Sequence, residues 1–599
     1  MKKILLNIMI VAIGIFTFSC SDDLLNTKPL DKYTEDDIWN DANLAQGFVY
    51  NIYQSVIPEL LVNTSDPDEK MAGVGNEDFS DNVLTQKAHN VALDNIDKFY
   101  DAGWATNNSY YWYGGAPLSL KNPIKENSFE VIRDCNLVIE NVAASEGIEA
   151  VSKPKLIAQG KMLRALIYYT KARMFGKYVI VDRVLTEEDD LKMSRSATIK
   201  ETYDFIIKDL QEAAPDLPIA AEAAKGELTQ GAAYAMLAEI ALQGAAYVES
   251  GKEEYIDISK AASESLFALS YALDADYAGI FNNYEVAQNS SELILTRFRH
   301  IDATYCVLTP MQGLVPNMEV AKTTGEPKLK ESFLGWTKCW PTHDLVEDYL
   351  VVDADGMAKK WNETSYYQNW ETNGGFLSEA IYNVPRDARF EASVVRDSTQ
   401  LFSNTITMRL EGNMHPSSSQ KGTNLSTRTG YFVRKGIYDV EGFKAKVYTD
   451  YHQNIARLGR SYLNYAEAML LKKDFPKAVE YINKTRVEHG KLPPLVSSDE
   501  TEIWEAYKRE RRVELFFEND RYWSLLRWGK FEGESVISEL NDKEYKFFEI
   551  NEDGTNYEIK PVFINANVHK KRFSERRYLF PVPEGERILN DKYDQNPLW

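Results

Sequence analysis

The sequence predicts a mainly α fold, a helical scaffold of tetratricopeptide-like helix pairs carrying long loops and a few small strands. Three observations lead there. Apolar residues recur at three- and four-residue spacing in separated blocks along the 599 residues. The stretches between those blocks are rich in Asn, Gly, Ser, Thr and aromatics, the composition of displayed loops. No Pro-rich or Gly/Ser-rich linker divides the chain, so the blocks belong to one interlocked body.

The chain opens with Lys2-Lys3, an almost uncharged apolar run from Ile4 to Phe18, then Ser19 and Cys20. Residues 1–19 read as a secretory signal that ends at a cysteine to be lipidated. The run is too short, and too abruptly ended by Ser21-Asp22-Asp23, to span a membrane. An ordinary cleaved signal with an incidental Cys20 is the other reading, since Thr17 and Phe18 depart from the usual leucine-rich pattern.

The first helical pair starts near Phe129 with Ile132, Cys135, Asn136, Ile139 and Val142. It continues from Leu156 through Leu163, Leu166, Ile167, Thr170 and Met174, stopping near Gly176. The second pair runs from about Ile199 to Leu210 and from Ala232 to Ala246, where alanines permit close helix approach. A third spans Ile455 to Leu471 and Phe475 to Glu488, followed by one long helix from Thr501 to Leu526. The period is irregular, so the pairs build a scaffold and not a regular solenoid. Residues 63–128 and 280–450 read as loops and small strands on that frame. The expected division is signal 1–19, an N-terminal region 20–250 and a C-terminal region 251–599 of one body.

Composition excludes some functions. A formal charge of -22 argues against a nucleic-acid partner, because phosphate neutralisation needs a basic face. Once Cys20 is modified, Cys135, Cys306 and Cys339 remain, an odd number with no C-x-x-C spacing for zinc or redox work. No H-E-x-x-H, G-x-S-x-G or phosphate-cradling loop is present, and no cofactor motif. Asp353-x-Asp355-Gly356 reads as a turn, lacking the later glutamate and sixth-position glycine of a calcium loop. Ninety acidic residues leave a glycoside hydrolase open, since its two carboxylates can lie far apart in sequence.

An ordered series of short motifs carries a resemblance. It comprises Cys20…Leu24-Leu25…Tyr33-Thr34…Ile38-Trp39, Arg133-Asp134-Cys135-Asn136 and Leu163-Arg164-Ala165…Tyr168-Tyr169…Phe175-Gly176. Further on come Pro341-Thr342, Arg386-Asp387-Ala388-Arg389-Phe390 and Leu463-Asn464-Tyr465-Ala466-Glu467-Ala468. Glu510-Arg511-Arg512…Glu514…Glu518…Arg521…Arg527-Trp528-Gly529 and Tyr578-Leu579-Phe580-Pro581…Asn596-Pro597 complete it. From Cys20 to Trp599 the chain resembles the SusD/RagB family of nutrient-capturing surface lipoproteins. Arg460, Trp340 and Ser524 depart from the family pattern at what look like internal ion-pair positions. The charges of the 510–521 run lie three or four apart and can pair along a helix, a fold-maintaining role. Trp523 and Trp528 read as packing residues.

The resemblance implies a lipid anchor in the outer membrane facing the cell exterior, and a SusC-like TonB-dependent transporter as partner. It also implies an oligosaccharide ligand and no enzymatic activity, with a peptide ligand as the alternative. The ligand-binding candidates lie outside the helices. Trp104, Asn107, Asn108, Tyr111, Trp112 and Tyr113 interleave rings with amides. Sugar C–H patches stack on such rings while hydroxyls take fixed polar partners. Asp78 and Asp81 are candidate hydroxyl acceptors, and Tyr305, Trp336 and Trp340 are candidates from the second loop region.

Overall fold

The computed structural model describes residues 33–60, 77, 80–85, 109–111, 117–119, 128–301, 314–316, 335, 337, 339–417, 426–439, 449–532, 540, 544–562, 573–582 and 584–599. Its frame is the expected series of helices. In chain order these are α1 (Ala42–Leu60), α2 (Ser128–Ala144), α3 (Lys153–Phe175), α4 (Ile199–Ala213), α5 (Gln230–Tyr247) and α6 (Lys252–Phe267). Their starts are set locally. Thr198 and Thr229 turn their hydroxyls onto the amides of Glu201 and Ala232, satisfying first-turn donors of α4 and α5.

Each helix leans on the next: α2 on α3, α3 on α4, α4 on α5 and α5 on α6, with α1 packed against α2 and α3. α3 and α5 bury nearly every side, as helices flanked by neighbours must. Gly244 explains the tightest approach. A Cβ there would stand 2.8 Å from the Tyr203 ring and 2.9 Å from that of Tyr255, so α4 and α6 close on α5 only at glycine.

The chain then enters strand β2 (Leu293–Arg299), which pairs antiparallel with β4 (Tyr451–Arg457) beside α5. Between them lie β3 (Cys339–Pro341) and short helices, among them α7 (Ser365–Asn373). The sequence led us to expect only loops and small strands there. After β4 come α8 (Leu458–Leu471), α9 (Phe475–Glu488), α10 (Glu500–Glu514) and α11 (Arg521–Glu532), then hairpin β5 (Lys546–Ile550) and β6 (Tyr557–Pro561). α8 packs on α6, and α11 on α5, closing the late helices onto the early ones.

Two late elements correct the sequence reading. Ile455 is strand, not the start of a helix, because Tyr451–Arg457 pairs with β2 before α8 begins. The single helix expected from Thr501 to Leu526 is broken after Glu514. Phe517 and Asn519 hold φ of 63° and 58°, a left-handed turn that no helix continues through. The turn sends the carboxylates of Glu518 and Asp520 inward.

The C-terminal motif staples the end of the chain to the end of α3. Asn596 donates to the carbonyls of Phe175 and Phe580, and Arg195 donates to the Asn596 side-chain oxygen at 2.9 Å. Trp523 and Trp528 are buried packing residues, as expected.

Candidate ligand-binding face

The two loop regions singled out in the sequence spring from one short ladder. Strand β1 (Val83–Thr85) pairs antiparallel with β3, placing Val83 opposite Pro341, Leu84 opposite Trp340 and Thr85 opposite Cys339. The chain leaves β1 toward the first aromatic segment and enters β3 from the second. The ladder itself is clamped to the helices. Arg521 donates to Asp81 at 2.8 and 3.0 Å. Arg512 donates to the Asn82 side-chain oxygen at 2.8 Å and reaches the Asp81 carboxylate at 3.0 Å. Thr342 donates from its amide to the Asn82 carbonyl and from its hydroxyl to that of Asp81. Beneath them Glu77 accepts from Ser80, Asn82 and the Phe517 amide. Burial pushes its carboxyl up to about 7 against those hydrogen bonds.

Of the candidate residues, Trp104, Asn107, Asn108, Trp112, Tyr113, Asp78, Tyr305 and Trp336 lie outside the described residues, as does Cys20. Tyr111 lies in the short strand Ser109–Tyr111, opposite Pro117. Two expectations are corrected. Asp81 is 3% exposed and its carboxylate is held by guanidinium groups, so it is a clamp and not a hydroxyl acceptor. Trp340 is 0% exposed on the β1–β3 ladder, with the Arg428 guanidinium 5.4 Å from its ring centre. It is core, with no surface for a sugar.

The acidic and basic residues of the 510–521 run do not pair along a helix as expected; they reach across the fold. Arg389, fully buried, grips Asp387, Glu510 and Glu514. Arg457, also fully buried, contacts Glu292 at 2.8 Å, Glu514 at 2.6 Å and Glu518 at 2.8 Å. Lys435 donates to Glu518, the Tyr277 hydroxyl and the Glu514 carbonyl. Burial pushes its ammonium down to about 8, against the pull of Glu518. Arg511 joins Asp520 to Asn464, and Arg527 holds Glu467. Arg460 and Ser524, the two departures on these helices, both lie in this network, at Asp520.

Within it Glu292, His489 and Glu514 come close enough to suggest a metal centre. The chemistry says otherwise. Both imidazole nitrogens face carboxylates, Nδ1 at 2.8 Å from Glu514 and Nε2 at 3.1 Å from Glu292. Burial opposes the charge of His489, but the two glutamates outweigh it and lift its pKa to about 9. A doubly protonated ring has no lone pair for a metal, and Arg457 already occupies both glutamates. The Asp353–Gly356 turn likewise carries its own cation. The Lys359 ammonium sits 2.6 Å from Asp353 and 2.5 Å from Asp355.

Sequence reasoning passed over one ring cluster. Trp370 on α7 stacks on Tyr557 of β6 at 5.7 Å and 21°, beside Tyr367 at 5.8 Å and Trp361 at 6.3 Å. The row continues from Tyr557 to Phe548 at 4.6 Å and from Phe548 to His343 at 5.1 Å. His343 directly follows Thr342 at the clamped ladder. The available signal was Tyr366-Tyr367-Gln368-Asn369-Trp370…Gly374-Gly375, which repeats the ring, amide and Gly-Gly composition of the 104–115 segment.

Residues 264–599 match the family model described as the SusD family. Residues 40–242 match one described as starch-binding associating with outer membrane. A SusD-like protein of Bacteroides ovatus is 21% identical over 500 residues, covering 78% of this chain and 80% of that protein. A crystal structure of a SusD-like protein from Bacteroides fragilis superposes with a TM-score of 0.69 at 23% identity, over 96% of this chain and 100% of that one. A SusD-like carbohydrate binding protein from the same species gives 0.68 at 19% identity, over 93% and 99%. These similarities establish the helical fold.

Proposed function

The chain belongs to the SusD family, and from that premise we propose that it is a non-enzymatic glycan receptor of the outer cell surface. It is held there by lipid on Cys20, and it captures an oligosaccharide for a SusC-like TonB-dependent transporter. The observation that carries this reading is the shared root of the two aromatic, amide-rich segments on a ladder fixed by Arg512 and Arg521. A binding face needs rings and amides held on a rigid support. The carboxylates of the frame beneath are locked by guanidinium groups and do not serve as acid and base. A SusD-like relative whose structure is known is named as carbohydrate binding, which supports the ligand class.

A glycan array probed with the full chain in detergent tests the reading. Retention on neutral oligosaccharides, with no new reducing ends after incubation, is the expected result. Binding confined to peptides, or release of reducing ends, overturns it.

A further inference from the structure

Helix α7 buries none of its nine residues, although it carries Tyr366, Tyr367 and Trp370. Aromatic residues at helical spacing normally mark a core face; here the three rings pack against the core yet none is fully buried, and Phe376 just beyond the helix is 50% exposed. The rings are nevertheless fixed. The Trp370 indole N–H donates to the Thr555 carbonyl at 3.2 Å, and its face lies on Tyr557. With the indole N–H satisfied, the edge of Trp370 left exposed is carbon.

The polar groups that α7 itself exposes are mostly neutral, with Arg409 and Asp553 nearby at Gly554 and Thr555. Gln368, Asn369, Thr372 and Asn373 are exposed neutral amides and a hydroxyl, while the one carboxylate of α7, Glu371, accepts from Tyr367. Gly374 and Gly375, between the helix and Phe376, have open space where side chains would be. Fixed, partly exposed rings bordered mainly by neutral donors and acceptors match the C–H faces and hydroxyls of a sugar chain.

We propose that the surface formed by α7, Phe376 and Tyr557 is a second saccharide platform. A neutral oligosaccharide stacks there on Trp370, Tyr367 and Phe376 and bonds to Gln368 and Asn369. The inference rests on the glycan-receptor reading and extends it to a site built entirely from other residues. The row of rings from Trp370 through Tyr557 and Phe548 to His343 ends at the ladder from which the loop segments spring. The platform is thus linked through packed rings to that ladder, and a chain long enough to engage both surfaces would gain from a raised effective concentration.

The test is native gel retardation of the full chain in detergent against laminarin, soluble starch, xylan and mannan, with a thermal melt beside each variant. The double variant Phe376→Ala/Asn369→Ala removes a ring and an amide at exposed positions. Gln368→Ala repeats the test at another exposed position. On the polysaccharide bound by wild type, the double variant should weaken retention roughly fivefold or more at an unchanged melting temperature. Gln368→Ala should weaken it less, in the same direction. If Trp104→Ala weakens binding and neither α7 variant does, the platform is overturned and the receptor reading stands. If the α7 variants weaken it and Trp104→Ala does not, the platform stands alone. Retention of wild type by none of the four overturns both.

Discussion

Around Arg457 the interior is as charged as a protein surface, whereas around Trp370 the surface is as aromatic as an interior. In the first region every group named is paired across elements: Arg457 ties β4 to the turn between α10 and α11, and Arg389 ties α10 to the segment after the short helices. In the second, rings are fixed on one face and left open on another, with neutral amides beside them. The usual association of charge with function is inverted. In this chain buried charge fastens the late helices together, and under the proposed function partly exposed aromatic carbon is what serves recognition. Buried ion pairs of this kind are costly to break and little use as ligands, because their lone pairs and protons are already spoken for.

The comparison breaks first at Arg457. Arg457→Met leaves Glu292, Glu514 and Glu518 buried without their shared cation, a situation that costs about 3–5 kcal/mol. The denaturant midpoint should fall accordingly, while the fraction that remains folded keeps its glycan affinity. A variant as stable as wild type would show that the network is incidental to the fold.

His489 sharpens the same point through pH. Its pKa is lifted from 6.5 to about 9, since Glu514 and Glu292 overcome the cost of burying its charge. The folded state thus holds a proton that the unfolded chain has lost. The stabilisation is complete below about 6.5 and disappears as pH rises through 9. At about 1.4 kcal/mol per pKa unit the loss is on the order of 3 kcal/mol. His343 and His452, pushed down to about 4 by burial, act between 4 and 6.5. Lys435, pushed down to about 8, adds stability between 8 and its ordinary 10.5, opposite in sign. The difference in unfolding free energy between wild type and His489→Gln should therefore shrink from pH 6.5 to 9. A constant difference would mean that His489 is neutral in the fold.

The aromatic side of the comparison predicts the reverse pattern. Trp104→Ala should cost about 1–2 kcal/mol of glycan binding, roughly tenfold, with no loss of melting temperature. A core tryptophan would lose ~3–5 kcal/mol of stability on truncation. Calorimetric titration paired with a melt separates the two, and unchanged affinity in a folded variant moves the site to Trp336 and Tyr305.

The helical frame was legible because α2, α4 and α9 keep an apolar period, the strongest signal a sequence carries, while α3 and the alanine-rich α5 are long runs buried on nearly every side. The break after Glu514 was hidden because apolar residues continue through Phe516 and Phe517 into α11. What stops the helix is the inward pull on Glu518 and Asp520 by arginines, a tertiary force with no local trace. Asp81 was misread for the same reason. A carboxylate in an Asn- and Ser-rich stretch looks alike whether it faces a sugar hydroxyl or a guanidinium 440 positions away. Trp340 lost its surface to a strand pairing that sequence spacing does not show. The ring, amide and Gly-Gly composition of α7 was present in the sequence but was passed over among the loops of 280–450, and only the structure shows that the helix fully buries none of its rings.

The smallest effect falls on Ser524, where the family often keeps an aspartate. The side chain is 0% exposed; its hydroxyl donates to Asp520 at 2.8 Å and accepts from Arg511 at 3.0 Å and Arg527 at 3.2 Å. An aspartate there would set a second carboxylate against Asp520, which already serves Arg511 at 2.6 Å. In this chain the carboxylate comes from Asp520 at the turn, and serine completes the contacts without adding charge. Ser524→Ala keeps both ion pairs, Arg511 with Asp520 and Arg527 with Glu467, and removes only the hydroxyl's bonds. The expected cost is about 1 kcal/mol of stability, read as a slightly lower denaturant midpoint with glycan affinity unchanged. If Ser524→Ala instead weakened binding at constant stability, the charged frame would reach the ligand face, and the division between fastening charge and recognising rings would fail.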